Sequence, residues 1–228
     1  MDRSLIDRLY VALPEGRARA ISPTVITKRL VLPEITPQQH MRWIEDVLEA
    51  NPLITPGVVA GTAIEPPSAF RDLLGDACAA ENLSEGHTIL GPRLMACEGC
   101  NFHHDADYPE YSNAAFSVLW LENETPWDLV FPLTGQRIEM EAGMLVIFDA
   151  ANIHGVVSRG ASKYRDEDFG EPGFQMFFST DHQYTAPSTR DRMGIQYLTA
   201  AECATRQALQ PLANCSSTFD ITTGHISL

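Results

Sequence analysis

The stretch EAGMLVIFDAANIHGVVSRG, residues 141–160, indicates how the centre of this chain folds. A turn glycine, Gly143, precedes the apolar run MLVIF, which is typical of a buried β-strand. After a short loop, His154 stands at the start of a second apolar segment, HGVVS. The stretch therefore predicts two consecutive strands, with a histidine at the beginning of the second.

Further short β runs separated by turns occur on both sides of this pair. They are HTILGPRLMAC, AAFSVLWLE, WDLVFPL, QRIEME and FQMFFST. Six or seven short strands behind a helical N-terminal segment predict a mainly β protein with flanking helices, a jelly roll buttressed by those helices. The narrow mouth of such a roll is where a small-molecule site is expected.

Three helices are predicted around these strands. Residues 36–50 form the first, because Thr36 can cap its N-terminus. Its apolar stripe is expected to consist of Met41, Ile44, Val47 and Leu48. Residues 68–81 form the second, and the third begins at Thr199, which makes a capping-box pattern with Glu202.

No internal repeat or low-complexity linker divides the chain, so we predict a single domain over residues 1–228. Within it we expect a helical N-terminal part at 1–87 and a jelly-roll core at 88–180. Residues 181–228 then form a C-terminal extension that contains a helix. A chain of this length can bury a sizeable core.

Charge and cysteine content narrow the partners and the compartment. Thirty acidic and sixteen basic residues give a formal charge of −14, which repels phosphate backbones and disfavours nucleic acid as a partner. No apolar run is long enough for a membrane helix, and the charged N-terminus lacks a signal-peptide pattern. Five scattered cysteines fit reduced thiols, so a cytoplasmic location is expected. The pair Cys97 and Cys100 could bind metal or do redox work, but strand packing is the favoured interpretation.

A second stretch, GCNFHHDADYPEY at residues 99–111, carries candidate metal ligands. On a strand, His103 and Asp105 project to the same side, whereas His104 projects to the other. A facial site needs a third ligand, and His154, 51 positions after His103, is the best candidate in an antiparallel roll. Two histidines and one carboxylate suit Fe(II) with open positions, whereas a structural zinc site would close with four protein ligands.

The order His103-x-Asp105, then WDLVF, then AGMLVIFDAANIHGV resembles the core of the Fe(II)/2-oxoglutarate-dependent dioxygenase superfamily, over roughly residues 88–180. The resemblance implies a double-stranded β-helix with a cupin-like jelly roll and a prolyl-hydroxylase-like core. It also implies that His103, Asp105 and His154 hold Fe(II), with 2-oxoglutarate and O2 as co-substrates. The implied activity is that of an oxidoreductase that hydroxylates an unactivated C–H bond.

The resemblance further implies a basic residue that binds the distal carboxylate of 2-oxoglutarate. Three arginines are candidates by their distance from the histidines. Arg165 and Arg159, eleven and five positions after His154, rank level. Arg93, ten positions before His103, ranks behind them. The expected last core strand, GFQMFFSTD, carries no basic residue.

Several alternatives remain at this stage. The substrate is expected to be a small molecule such as an amino acid or a natural-product (biosynthetic) intermediate. Desaturation, ring formation or epimerisation would be compatible with the same site. An oxygenase of this fold that does not use 2-oxoglutarate, a cupin-type metalloenzyme and a non-catalytic binding protein are the competing hypotheses. The aromatic residues Tyr108, Tyr111, Trp120 and Trp127 are candidates for the mouth of the site.

Overall fold

The computed structural model describes residues 5–83, 91–122, 126–169, 173–209 and 219–226. Its α-helices are α1 (Pro37–Ala50), α2 (Ser68–Ala79), α3 (Pro187–Arg192) and α4 (Ala200–Cys203). Its strands are β1 (Leu9–Ala12), β2 (Ala18–Ala20), β3 (Val25–Arg29), β4 (Val59–Gly61), β5 (Arg93–Cys97), β6 (Cys100–His103), β7 (Ala114–Trp120), β8 (Trp127–Phe131), β9 (Gln136–Met140), β10 (Met144–Asp149), β11 (His154–Ser158), β12 (Gln175–Gln183) and β13 (Gln207–Ala208).

Two antiparallel sheets form the centre of the molecule. The larger has the strand order β3-β10-β7-β12-β5-β4, and the smaller has the order β6-β11-β8-β9. From β5 to β12 the chain crosses repeatedly between the two sheets, so that four central strands of the larger sheet face the four of the smaller one. This is the double-stranded β-helix, and it confirms the predicted jelly roll with flanking helices.

The apolar run MLVIF is explained by burial on both faces of β10. Val146 and Phe148 pack between the two sheets, together with residues of the smaller sheet such as Phe131. Leu145 and Ile147 point to the opposite face, where they join the cluster beneath the helices. A strand covered on both faces has no polar side, so its sequence is continuously apolar instead of alternating.

Helices α1 and α2 cover the outer face of the larger sheet. The predicted cap of α1 is present, because the Thr36 hydroxyl accepts a hydrogen bond from the Gln39 N–H at 3.2 Å. The expected apolar stripe is wrong at both ends, since Met41 and Leu48 are 54% and 43% exposed. The helix is turned so that the larger Trp43 side chain fills the space next to the sheet. The Trp43 ring lies 5.9 Å from that of Phe70 in α2 and 5.4 Å from that of Phe178 in β12.

The ends of the chain differ in detail from the prediction. The N-terminal part contains strands as well as helices, because β3 and β4 extend the two edges of the larger sheet. The capping box of Thr199 and Glu202 is present, but α4 ends at Cys203 and has no buried residue. Without a packed face the helix is not extended, and β13 pairs with β1 instead. In the described part of the chain, no helix is long and apolar enough to cross a membrane.

Candidate metal centre

Strand pairing in the smaller sheet brings the two motif histidines together. His103 is the last residue of β6 and His154 is the first of β11, and the two are direct partners in the antiparallel register. Asp105 follows β6, where its backbone N–H donates to the Ala150 carbonyl at 2.8 Å. That bond ties the segment after β6 to the loop between β10 and β11. His103 and Asp105 therefore meet His154, which is about 50 residues further along the chain, at one end of the sheet.

The three side chains form a compact ligand set. One ligand atom from each of His103, Asp105 and His154 lies within 4.8 Å of the others. The Nε2 atoms of His103 and His154 lie 3.7 and 3.6 Å from the two Asp105 carboxylate oxygens. The two imidazole rings are tilted, with centroids 4.3 Å apart. The structure therefore assembles the three predicted ligands in an arrangement that can contact one ion from one side.

Each histidine is oriented by a backbone carbonyl two residues before it. His103 Nδ1 lies 2.9 Å from the Asn101 carbonyl, and His154 Nδ1 lies 2.9 Å from that of Asn152. Because a carbonyl oxygen only accepts, both Nδ1 atoms must donate. In the neutral rings this leaves the Nε2 lone pairs directed at Asp105, as metal-binding histidines require. Sequence reasoning missed these carbonyl contacts, because any residue type can supply them.

The three groups have opposed electrostatic environments. Burial lowers the pKa of His103, but interactions with Cys100 and Asp105 and a hydrogen bond to Asn101 outweigh it and raise that pKa to about 10. Burial and repulsion by His103 lower the pKa of His154 well below 6.5. Burial raises the pKa of Asp105, although the charge on His103 partly offsets the effect. The two neighbouring imidazoles thus differ in how readily they bind a proton.

The ligand set lies on the wall of a cavity of about 880 Å³ between the two sheets. Of the aromatic candidates for its mouth, Tyr108, Tyr111 and Trp120 line this cavity. Trp127 does not, because it is buried in the core with its ring 5.3 Å from that of Phe169. His104 points away from the ligand set and is buried, with its Nδ1 3.6 Å from an Asp107 oxygen.

The three candidate arginines are not equivalent in the structure. Arg93, at the start of β5, lines the cavity, and its buried Nε has no hydrogen-bond partner among the described residues. Arg159 follows β11 on the face opposite to that of His154, and pairs with Asp128 at 3.4 Å and with Glu139 at 3.4 Å. Arg165 is exposed and lies outside the cavity lining. Of the three candidates, only Arg93 therefore lines the cavity, because β5 brings it inward and strand parity turns Arg159 outward.

The CxxC pair belongs to the wall of the same cavity. Cys97 and Cys100 are free and buried, and both contribute to the hydrophobic cluster between the sheets. The Cys100 sulfur lies 3.4 Å from His103 Nδ1. Strand packing therefore describes both cysteines, as the sequence interpretation favoured.

Comparisons with known proteins concern the fold. No protein family and no curated protein matches the sequence. Similar solved structures include a prolyl-4-hydroxylase from Pseudomonas putida, with 13% identity, a TM-score of 0.45, and coverage of 70% of this chain and 92% of that one. The non-haem alpha-ketoglutarate dependent carbocyclase SnoK, from nogalamycin biosynthesis, has 12% identity, a TM-score of 0.43, and coverage of 70% and 79%. An oxidoreductase of the 2OG-Fe(II) oxygenase family from Burkholderia pseudomallei has 11% identity, a TM-score of 0.33, and coverage of 79% and 74%.

The fold of the chain is established by its own strand order, which is that of a double-stranded β-helix. With TM-scores below 0.5, these similarities carry no weight for activity. What the site can do follows from its own ligand set and cavity.

Proposed function

We propose that the protein is a non-haem Fe(II)/2-oxoglutarate-dependent oxygenase that hydroxylates an unactivated C–H bond of a small molecule. The observation that carries the proposal is the convergence of His103, Asp105 and His154 at one end of the smaller sheet, on the wall of a large cavity. Two imidazoles and a carboxylate on one side of an ion suit Fe(II) and leave positions for other ligands. The substrate class comprises amino acids and natural-product intermediates.

The residues of the chain have distinct tasks in this proposal. His103, Asp105 and His154 hold the metal, and the carbonyls of Asn101 and Asn152 keep both imidazoles in the required orientation. Bound Fe(II), with 2-oxoglutarate, supplies the O2-dependent oxidation of a C–H bond. The walls of the cavity position the substrate carbon beside the metal and exclude water.

Arg93 is the residue that we assign to the distal carboxylate of 2-oxoglutarate. Its Nε–H is buried and finds no acceptor in the described part of the chain, and such a donor costs about 1–3 kcal/mol unless an acceptor is supplied. A carboxylate from a ligand would satisfy it with a charge-assisted hydrogen bond. Arg93 pairs in register with Ser179 of β12, which also lines the cavity. The contact would therefore lie between two strands of the larger sheet.

The competing hypotheses fit the ligand set less well. A cupin-type site would use a third or fourth histidine, whereas the third ligand here is the carboxylate of Asp105. A non-catalytic binding protein has no need for three convergent ligands with oriented imidazoles. An oxygenase that does not use 2-oxoglutarate shares the ligand set, and differs only in having no use for Arg93.

Anaerobic reconstitution with Fe(II), followed by titration with 2-oxoglutarate, tests the proposal. We expect a weak visible absorption band from the chelate, and succinate release once O2 and a substrate are present. His154→Ala should weaken Mn(II) binding, followed by electron paramagnetic resonance, by at least about tenfold, whereas His225→Ala at an exposed position should leave it unchanged. If the protein binds metal but shows no such band, the oxygenase that does not use 2-oxoglutarate replaces the proposal. If it binds no metal, the non-catalytic binding protein replaces it.

A further inference from the structure

We infer that the substrate is a mainly apolar, uncharged small molecule and not a free amino acid. This inference rests on the proposed function and narrows its substrate class. It depends on the composition of the cavity wall, the exposed rim, and the small number of charged side chains that a ligand can reach.

The wall around the ligand set is apolar on both sheets. From the larger sheet, Met95, Phe116, Val118 and Phe177 line the cavity, and from the smaller sheet Leu129 and Val156 do so. These residues lie on strands of the two sheets, so the pairing of those strands fixes their positions in the wall. Apolar walls with few polar groups select ligands by buried apolar area, and each square ångström removed from water contributes about 25 cal/mol.

The mouth of the cavity is apolar as well. Val58, Val59 and Tyr108 line the cavity and are 54%, 36% and 55% exposed. Val58 and Val59 lie at the edge strand β4, and Tyr108 lies in the segment after β6, so they approach the opening from different parts of the chain. Isolated exposed apolar residues are ordinary, but these three also line the cavity, so apolar side chains continue from its wall to the surface.

Charged groups in the cavity are few, and all of them except Asp181 have a task in the proposed chemistry. Among the described lining residues, the ionisable groups of Asp, His and Arg are the three metal ligands, Arg93 and Asp181. Arg93 is assigned to the co-substrate. Asp181 is buried and accepts a hydrogen bond from Gln183 Nε2 at 2.8 Å. The carboxylate of a free amino acid would therefore have no second cation to pair with, and burying it unpaired is costly.

The size of the cavity agrees with a larger ligand. At about 880 Å³ it lies in the upper part of the range of roughly 300–1,000 Å³ that holds drug-sized molecules. The aromatic walls suit rings in particular. The Phe148 ring lies 4.6 Å from that of the ligand His154, so a ring of the substrate can pack beside the metal.

Binding of Nile red, a neutral apolar fluorophore, to the full-length protein loaded with Mn(II) and 2-oxoglutarate tests this inference. We expect saturable binding that is weakened roughly five- to tenfold by Val118→Thr, which keeps the volume and adds a hydroxyl to the wall. Val118→Trp should weaken binding further, because the larger side chain takes up part of the cavity next to the dye. Val31→Thr, at a site that is 91% exposed, is the matched control and should leave binding unchanged. Retained Mn(II) affinity shows that each variant has folded.

Displacement of the dye by octanol, octanoate and octylamine then separates apolar character from charge at constant chain length. We expect octanol to displace it at the lowest concentration, and free amino acids to have no effect. Tighter binding of octanoate, octylamine or an amino acid overturns the inference, as does dye binding that ignores both Val118 variants. If the protein binds neither Mn(II) nor 2-oxoglutarate but still prefers octanol, the proposed function alone is refuted. If it binds Mn(II) and 2-oxoglutarate but does not prefer octanol, the substrate class alone is refuted.

Discussion

Arg19 and Asp149 form a buried bidentate ion pair, with Nη1 2.7 Å from Oδ2 and Nη2 2.8 Å from Oδ1. The Asp149 carboxylate also accepts hydrogen bonds from the backbone N–H groups of Ser22 and Ala151, at 2.7 and 3.0 Å. Arg19 lies in β2, outside the jelly roll, and Asp149 ends the strand that precedes the His154 loop. The pair therefore anchors the loop that leads to His154, a proposed metal ligand, to the N-terminal segment.

Breaking this pair should destabilise the fold strongly. In Asp149→Asn the guanidinium of Arg19 stays buried without its counter-charge, and such changes cost about 3–5 kcal/mol. Urea unfolding of the variant should show this loss, and Mn(II) affinity should fall because the loop before His154 is loosened. Arg17→Met, at an exposed position on the same segment, is the control and should cost less than about 0.5 kcal/mol. Equal effects of the two variants would contradict the anchoring role.

Arg93 should determine the affinity for 2-oxoglutarate. Arg93→Gln removes the cation from the cavity, so the concentration of 2-oxoglutarate that gives half of the chelate band should rise at least about tenfold. Arg93→Lys should recover part of the affinity, because a point charge replaces the bidentate group. Arg165→Gln, outside the cavity, should behave as wild type. A loss of 2-oxoglutarate affinity in Arg165→Gln but not in Arg93→Gln would contradict the assignment and favour Arg165, as the sequence did.

Gly99 should be the less replaceable of two glycines with the same backbone conformation. Gly99 precedes β6 with φ +65°, and a Cβ there would lie 2.3 Å from the Phe169 ring. Gly160 has φ +79°, and a Cβ there meets no atom within 4 Å. Alanine at Gly160 should cost about 1–2 kcal/mol of unfolding free energy from the positive φ alone. Gly99→Ala should lower the unfolding free energy more than Gly160→Ala does, as measured by thermal unfolding of both variants. Equal losses would show that the Phe169 ring moves aside freely.

The convergence of His103, Asp105 and His154 was predictable because each step from sequence to site follows a fixed geometry. The alternation of side chains along a strand places His103 and Asp105 on one side. Short antiparallel strands return His154 to the same sheet end, as the direct pairing of the two histidines shows. The helix cap at Thr36 was equally accessible, since it depends on residues three positions apart.

The position of Arg93 in the cavity wall was not predictable from spacing. It depends on the pairing of β5 with β12, in which Arg93 is the partner of Ser179, 86 residues away. Sequence distance from His154 favoured Arg159, but strand parity turned that side chain to Asp128 on the outer face. Trp43 was missed for a related reason, because the rotation of α1 is set by the space above the sheet and not by the helix itself.

Glu81 should make stability depend on pH in the acidic range. It follows α2, and its carboxylate lies 2.6 Å from Lys28 Nζ in β3 and 3.0 Å from Arg192 Nε in α3. Hydrogen bonds with Lys28 and then Arg192 lower its pKa below the usual value near 4.5. Because the folded-state pKa is the lower one, the stabilisation is fully present above pH 4.5 and is lost as the pH falls through the folded-state value.

Glu81→Gln should therefore reduce the free energy of unfolding by about 1 kcal/mol at pH 7. The difference from wild type should shrink as urea unfolding is repeated at successively lower pH below 4.5. Glu65→Gln is the matched control, since the carboxylate of Glu65 is 73% exposed and lies 3.4 Å from Arg71. That variant should change stability by less than about 0.5 kcal/mol at every pH. A deficit in Glu81→Gln that stays constant down to low pH would mean that the effect comes from packing, because the charge of Glu81 would then contribute nothing.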